Sequence, residues 1–294
     1  MRLVSRAFAM SAASPTVKLR SDATVISLVG FAHGTSHFFH FMLPPIFPFL
    51  MADFGLSFTQ VGATMTVFFV VSGIGQALAG FIVDRVGALR VLCGGIAMLS
   101  VSALALSAAQ DYAMLFLAAA IAGLGNSVFH PADFTLLNRR VSVPRLGHAF
   151  SVHGLSGSLG WAAAPVFMAG IAASHGWRTA AVCAALVGAC SLVFLIFNRN
   201  LLREEPLAVD VKKGAGGTFA FLGVGTVWLC FAFFAVLVMA FGGLQNFAPP
   251  ILERSSTSSA SSLMSCAFID STRAPSSPCS FWSRACSFRN CVSL

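Results

Sequence analysis

Charge is scarce in this chain. Its 294 residues include only 10% Asp, Glu, Lys and Arg, against about a quarter in a soluble domain. A chain this long has ample surface to cover with polar groups, so the shortage excludes an ordinary water-soluble fold. Tyrosine is nearly absent, with one residue, and there are four Trp; any aromatic belt at a membrane interface is thin. No CxxC pair and no Cys/His pattern with zinc spacing occurs among the eight Cys, which excludes a zinc-ribbon or disulfide framework. There is no phosphate-binding loop, so ATP is not expected as the energy source. No nucleophile–base pair or metal set stands out, so no enzymatic activity, cofactor or metal is expected. Residues 1–21 contain no acid; their short apolar part, broken by Ser11, reads as a cytoplasmic tail and not as a leader peptide.

What is present is apolar. Hydrophobic residues make up 57% of the chain, with 29 Phe. Lipid is the solvent that suits this composition. The net charge of +8 sits in short breaks between apolar runs. There is no continuous basic face with interleaved aromatics, so nucleic acid is not expected as a partner. Cys93, Cys183, Cys190 and Cys230 lie in apolar runs and read as small hydrophobes.

A span needs about 20 apolar residues to cross the hydrocarbon layer. Seven runs qualify: 25–50, 61–83, 89–109, 113–137, 146–173, 179–197 and 219–241. Each must be helical, because lipid offers the peptide groups no hydrogen-bond partners. Thirteen Lys and Arg fall in the N-terminal tail and in the second, fourth and sixth breaks, and only Arg178 in the other three. That asymmetry predicts a multi-pass protein of the cell (inner) membrane with a cytoplasmic N-terminus. The organisation expected is a cytoplasmic tail over 1–24, a six-helix bundle over 25–198, a cytoplasmic linker over 199–217, and a seventh helix with its exit over 218–252. Residues 253–294 form a Ser-, Arg- and Cys-rich tail with no helical or strand period, and a disordered segment translated out of frame is expected there. Six helices, a polar linker and a new helix suggest two six-helix halves, the second of which is expected to be missing here.

Between the second and third runs stands Gly80-Phe81-Ile82-Val83-Asp84-Arg85-Val86-Gly87-Ala88-Leu89-Arg90. This resembles the GxxxDRxGxR-type loop signature of the major facilitator superfamily. It departs at Ala88-Leu89, where that family often has another basic residue. The fifth run, with Gly154, Gly157, Gly160 and Pro165, is similar to the Gly-rich fifth-helix motif of antiporters in that superfamily, at looser spacing. Leu43-Pro44-Pro45-Ile46-Phe47-Pro48, Phe129-His130-Pro131-Ala132-Asp133 and Ala149-Phe150-Ser151-Val152-His153-Gly154 resemble the fosmidomycin-resistance-type branch, whose members are proton-coupled exporters. The resemblance covers about residues 25–252 and implies an all-α membrane fold: the six-helix N-terminal half of a major-facilitator bundle plus a seventh transmembrane helix. It also implies that Gly80, Asp84, Arg85, Gly87 and Arg90 form a conformational gate loop that ties two halves together, idle where the partner half is absent. A charged turn that simply stays in the cytoplasm is the alternative.

The remaining motifs read from physical chemistry. Gly73, Gly80, Gly154, Gly157 and Gly160 remove side chains at helical spacing, which allows close helix packing or sliding. Pro44, Pro45 and Pro48 cannot donate and are expected to bend the first span, freeing the carbonyls of His40, Phe41 and Pro44. Titratable groups inside a membrane are costly unless paired or wet. His33, His37 and His40 fall on one face of the first run; His33 and His37 lie roughly 12 and 18 Å deep, near the midplane. His130 and Asp133 are one turn apart in the fourth run, and His153 lies at similar depth in the fifth. The expectation is a buried cluster of His130, Asp133 and His153, with His33 and His37 lining the cavity centre, any of which could carry a coupled proton. The bland alternative pairs Asp133 with Arg139 or Arg140 and leaves the histidines capping freed carbonyls. His33-Gly34-Thr35-Ser36-His37 is superficially similar to the HExxH zinc motif, but Gly34 replaces the Glu and no third ligand follows.

The reading is a secondary active transporter, proton-coupled and exporting a small drug-like or anionic compound, with protons, the small molecule, the bilayer and a second half as partners. One half plus one helix offers one wall, so this chain is not expected to transport alone. A non-transporting membrane fragment or an oligomerising structural membrane protein is the alternative.

Overall fold

The computed structural model describes residues 15–202 and 223–240, apart from Phe234 and Val238. Every regular element among the described residues is helical. Over residues 15–202 the α-helices are, in chain order, α1 (Pro15–His40), α2 (Phe47–Phe54), α3 (Phe58–Val86), α4 (Ala88–Ser107), α5 (Tyr112–Asn126), α6 (Phe129–Arg140), α7 (Leu146–His175), α8 (Trp177–Phe197) and the single turn α9 (Arg199–Leu202). Among the described residues, five stretches are long and apolar enough to cross a membrane: Phe58–Val86, Ala88–Ser107, Tyr112–Arg140, Val143–His175 and Trp177–Phe197. The first expected span is not among them. Its helix starts amid Lys18, Arg20 and Asp22, ends at His40, and carries five polar residues in its second half. The apolar helix Gly225–Leu237 lies within the seventh expected span. The two ends of that span, most of the linker, the Ser-rich tail and the first fourteen residues of the N-terminal tail lie outside the described residues.

The proline-rich segment breaks the first span where a bend was expected. Beyond His40 the chain makes a turn, then a 3-10 turn at Pro44–Ile46, then α2. Pro44, Pro45 and Pro48 have no N–H to continue the ladder. The Pro44 carbonyl is not freed: it accepts from the Phe47 N–H at the end of the 3-10 turn. The fourth span is likewise two helices, parted at Ser127-Val128, because Pro131 cannot donate to the Ser127 carbonyl. α3 opens with a capping box, the Ser57 hydroxyl accepting from the Gln60 N–H and the Gln60 amide oxygen accepting from the Ser57 N–H.

Helix α1 packs along α7, α4 along both α8 and α5, and α3 along α5. Polar ties close both ends. At one end Arg178 donates to Asp53 at 3.1 Å and to the Ala109 carbonyl at 3.0 Å, while the Trp177 indole N–H donates to Asp53 at 2.7 Å. At the other, Asp22 of α1 accepts from Arg145 at 2.7 Å and from the Ser142 hydroxyl. The Arg140 guanidinium donates to the Leu201 carbonyl at 3.0 Å. Because successive spans run antiparallel, Arg85, Arg90, Arg139, Arg140, Arg145 and Arg199 share the end that holds Asp22, and Arg178 holds the opposite end.

Burial pushes the Asp22 carboxyl up, but the hydrogen bonds from Ser142 and Arg145 outweigh it and hold the group below its ordinary value. A carboxyl depressed in the folded state stabilises above its unfolded titration range, and that stability is lost as pH falls through the folded value. Thermal unfolding in detergent should therefore show wild-type stability declining below about pH 4. Asp22→Asn should melt lower at pH 7 and show a smaller decline with acid; an identical acid profile would remove this tie from the account.

Candidate functional site

Histidines at 33, 37 and 40 share one stripe of α1, as steps of four and three dictate. That stripe faces α6 and α7, and the approach is unusually close because small residues line it. A Cβ on Gly157 would come within 2.7 Å of the His37 Nδ1, and one on Gly160 would collide with the Gly34 carbonyl. Gly154 is different: a Cβ there would meet nothing within 4 Å, nor would one at Gly73 or Gly80. Each step of three residues falls about 60° short of a full turn, so Gly157 and Gly160 reach α1 while Gly154 rotates off it. Pro165 sits inside α7 without ending it.

The five titratable side chains singled out from sequence come together. The His33 ring stacks on His153 at 3.5 Å between centroids, and lies 4.2 Å from His37 and 5.4 Å from His130. His153 Nε2 is 3.1 Å from Asp133 Oδ2. Asp133 is fully buried, and His33 and His153 nearly so. Asp133 thus pairs with His153, while Arg140 reaches the Leu201 carbonyl.

Hydrogen bonds fix which nitrogens are free. His33 Nδ1 lies 2.8 Å from the His153 carbonyl; a carbonyl only accepts, so Nδ1 carries the proton and Nε2 presents a lone pair. That Nε2 has no hydrogen-bond partner, nor do both His37 nitrogens, His130 Nδ1 and Asp133 Oδ1. Five buried polar atoms without partners in one cluster run against the general rule of satisfaction.

His40 is arranged otherwise. The Trp161 indole donates to its Nδ1 at 3.3 Å, so its Nε2–H donates to Asn126 Oδ1 at 2.6 Å, and the Asn126 amide donates to Ser72 at 2.7 Å. This relay joins α7, α1, α5 and α3 and leaves His40 satisfied at both nitrogens. Sequence reasoning missed Asn126, Ser72 and Trp161. Asn126, a strongly polar amide in an apolar run, was the available signal.

The gate-loop residues lie elsewhere. Asp84, Arg85 and Arg90 are exposed at the turn between α3 and α4. Gly87 makes that turn with φ 96°, a conformation costly for any residue with a Cβ.

The sequence profile described as Major Facilitator Superfamily matches residues 29–273. The chain belongs to the Major Facilitator Superfamily. It is an all-α, multi-pass membrane protein, and the match ends some way beyond the 252 expected from the motifs. Among curated proteins of this superfamily, the chain is 28% identical to the fosmidomycin resistance protein of Escherichia coli K12 over 165 residues, 56% of this chain and 40% of that one. It is 27% identical to a multidrug resistance protein B homolog of Mycobacterium tuberculosis, over 51% of this chain and 28% of the relative. It is 30% identical to the puromycin resistance protein pur8 of Streptomyces alboniger, over 63% of this chain and 36% of the relative. The chain thus spans well under half the length of these relatives. Their names are those of resistance proteins, in line with a major-facilitator chain that is not an enzyme.

Proposed function

We propose that the bundle formed by α1–α8 is one wall of a proton-coupled secondary transporter that exports a small drug-like or anionic compound. The carrying observation is the convergence of His33, His37, His130, Asp133 and His153 from three separate segments into one buried cluster. Ionisable groups are kept inside a membrane protein where protons, ions or substrates move. The names of the curated relatives support the compound class, and superfamily membership supports transport by rocking of two halves about a central site. The basic residues gathered at the Asp22 end support a cytoplasmic N-terminus. Asp84, Arg85, Gly87 and Arg90 then stand at the cytoplasmic rim, where a carboxylate can meet the positive end of a helix in the facing half.

The test is proton flux in proteoliposomes under an imposed pH gradient, with a panel of small anionic and amphipathic drugs. The chain should give compound-dependent flux when a second six-helix half, taken from a curated relative, is supplied with it. Absence of flux with the partner half properly inserted would overturn the proposal. Flux from this chain alone would overturn the requirement for two halves.

A further inference from the structure

The same cluster has the donor set of a transition-metal site. We infer that His33, His37 and His130 bind one divalent transition-metal ion of the zinc class through three imidazole nitrogens. Their ligand atoms all lie within 4.8 Å of one another. A tetrahedral zinc ion with bonds of 2.0–2.1 Å holds its nitrogens about 3.4 Å apart, so the rings need to close by up to about 1.4 Å around it.

Three features favour an ion over mere crowding. The first is the state of the lone pairs. His33 Nε2, both His37 nitrogens and His130 Nδ1 are buried and unpartnered, and neutral imidazole nitrogens are what a metal of borderline softness takes. The second is the support behind His33. Its Nδ1–H donates to the His153 carbonyl at 2.8 Å, which fixes tautomer and ring direction just as the outer hydrogen bond of a metal-bound histidine does. The third is that the alternative trio of His33, Asp133 and His153, whose ligand atoms are also within 4.8 Å, would have to give up the His153–Asp133 bond at 3.1 Å. The three-histidine set gives up nothing. Asp133, one turn along α6 from His130, adds negative charge that offsets the charge of the ion.

The sequence hid this site because only two of its ligands are neighbours. His33 and His37 have the spacing of a zinc helix, but the third ligand comes from α6, far along the chain. Three protein ligands leave a fourth position open for water or a bound compound.

The metal reading shares its residues with the proton reading but does not rest on it, since binding is read at equilibrium and without a gradient. Metal-free full-length chain in detergent should bind one Zn²⁺ in a calorimetric titration, and Co²⁺ in its place should show the intense visible bands of a tetrahedral site. His33→Ala and His37→Ala should each weaken Zn²⁺ at least about tenfold. His148→Ala and His175→Ala, at exposed positions, should change nothing. If an alanine variant does not fold, His37→Gln and the wild-type Co²⁺ spectrum carry the test. No bound ion, an octahedral Co²⁺ spectrum, or binding that follows His148 or His175 would overturn the inference. Zn²⁺ binding without flux would fail the transport reading alone, and flux without Zn²⁺ binding would fail this one alone.

Discussion

In vesicles that hold the chain and a complementing half, Asp133→Asn is expected to reduce compound-driven proton flux to the level of empty vesicles. Asp133 is fully buried on α6, with one oxygen 3.1 Å from His153 Nε2 and the other without a partner. Asparagine has nearly the same shape and can still accept from the His153 ring through its amide oxygen, so the packing of α6 against α7 survives. The change in folding stability should stay near 1 kcal/mol, the net worth of a typical hydrogen bond. What the amide cannot do is gain or lose a proton. The variant therefore separates a proton-carrying role from a structural one: flux disappears while the melting temperature in detergent barely moves. Equal loss of flux and stability would point to structure alone, and unchanged flux would end the assignment of Asp133 to the proton pathway.

Much of this arrangement was readable from the chain, and most of the unreadable parts share a cause. Helices and breaks follow from apolar run lengths and from the positions of charge, Gly and Pro, which are local properties. The shared face of His33, His37 and His40 follows from helical periodicity, and the similar depth of His130 and His153 from antiparallel neighbours. What periodicity cannot supply is azimuth between helices. It could not show that His40, though stacked on His37, spends both ring nitrogens in the relay through Trp161, Asn126 and Ser72. Nor could it separate Gly154, which faces open space, from Gly160, which faces the α1 backbone. The proline segment failed differently. Three prolines signal a disturbance, but whether a helix bends or stops depends on whether the freed groups find turns to bond in, and here a 3-10 turn takes up the Pro44 carbonyl.

The same azimuth carries the largest expected effect on folding. A side chain at position 160 has nowhere to go, because its first carbon would collide with the Gly34 carbonyl and crowd the Phe38 N of α1, and no rotamer moves a Cβ. Gly160→Leu should therefore force α1 and α7 apart. Overpacking in a well-packed core costs about 1–3 kcal/mol and sometimes more; with backbone as the obstacle, the upper end or beyond is expected. The separation would also pull His33 from the His153 carbonyl, so metal binding and flux should fall together with stability. Gly154→Leu is the matched control on the same helix. It adds the same side chain where nothing lies within 4 Å, and surface changes of that kind usually stay within about 0.5 kcal/mol. Thermal unfolding of the two variants in the same detergent should rank Gly160→Leu far below wild type and Gly154→Leu beside it. Equal melting of both would mean that α1 and α7 do not meet backbone to backbone, and the histidine cluster, which depends on that contact, would have to be abandoned with it.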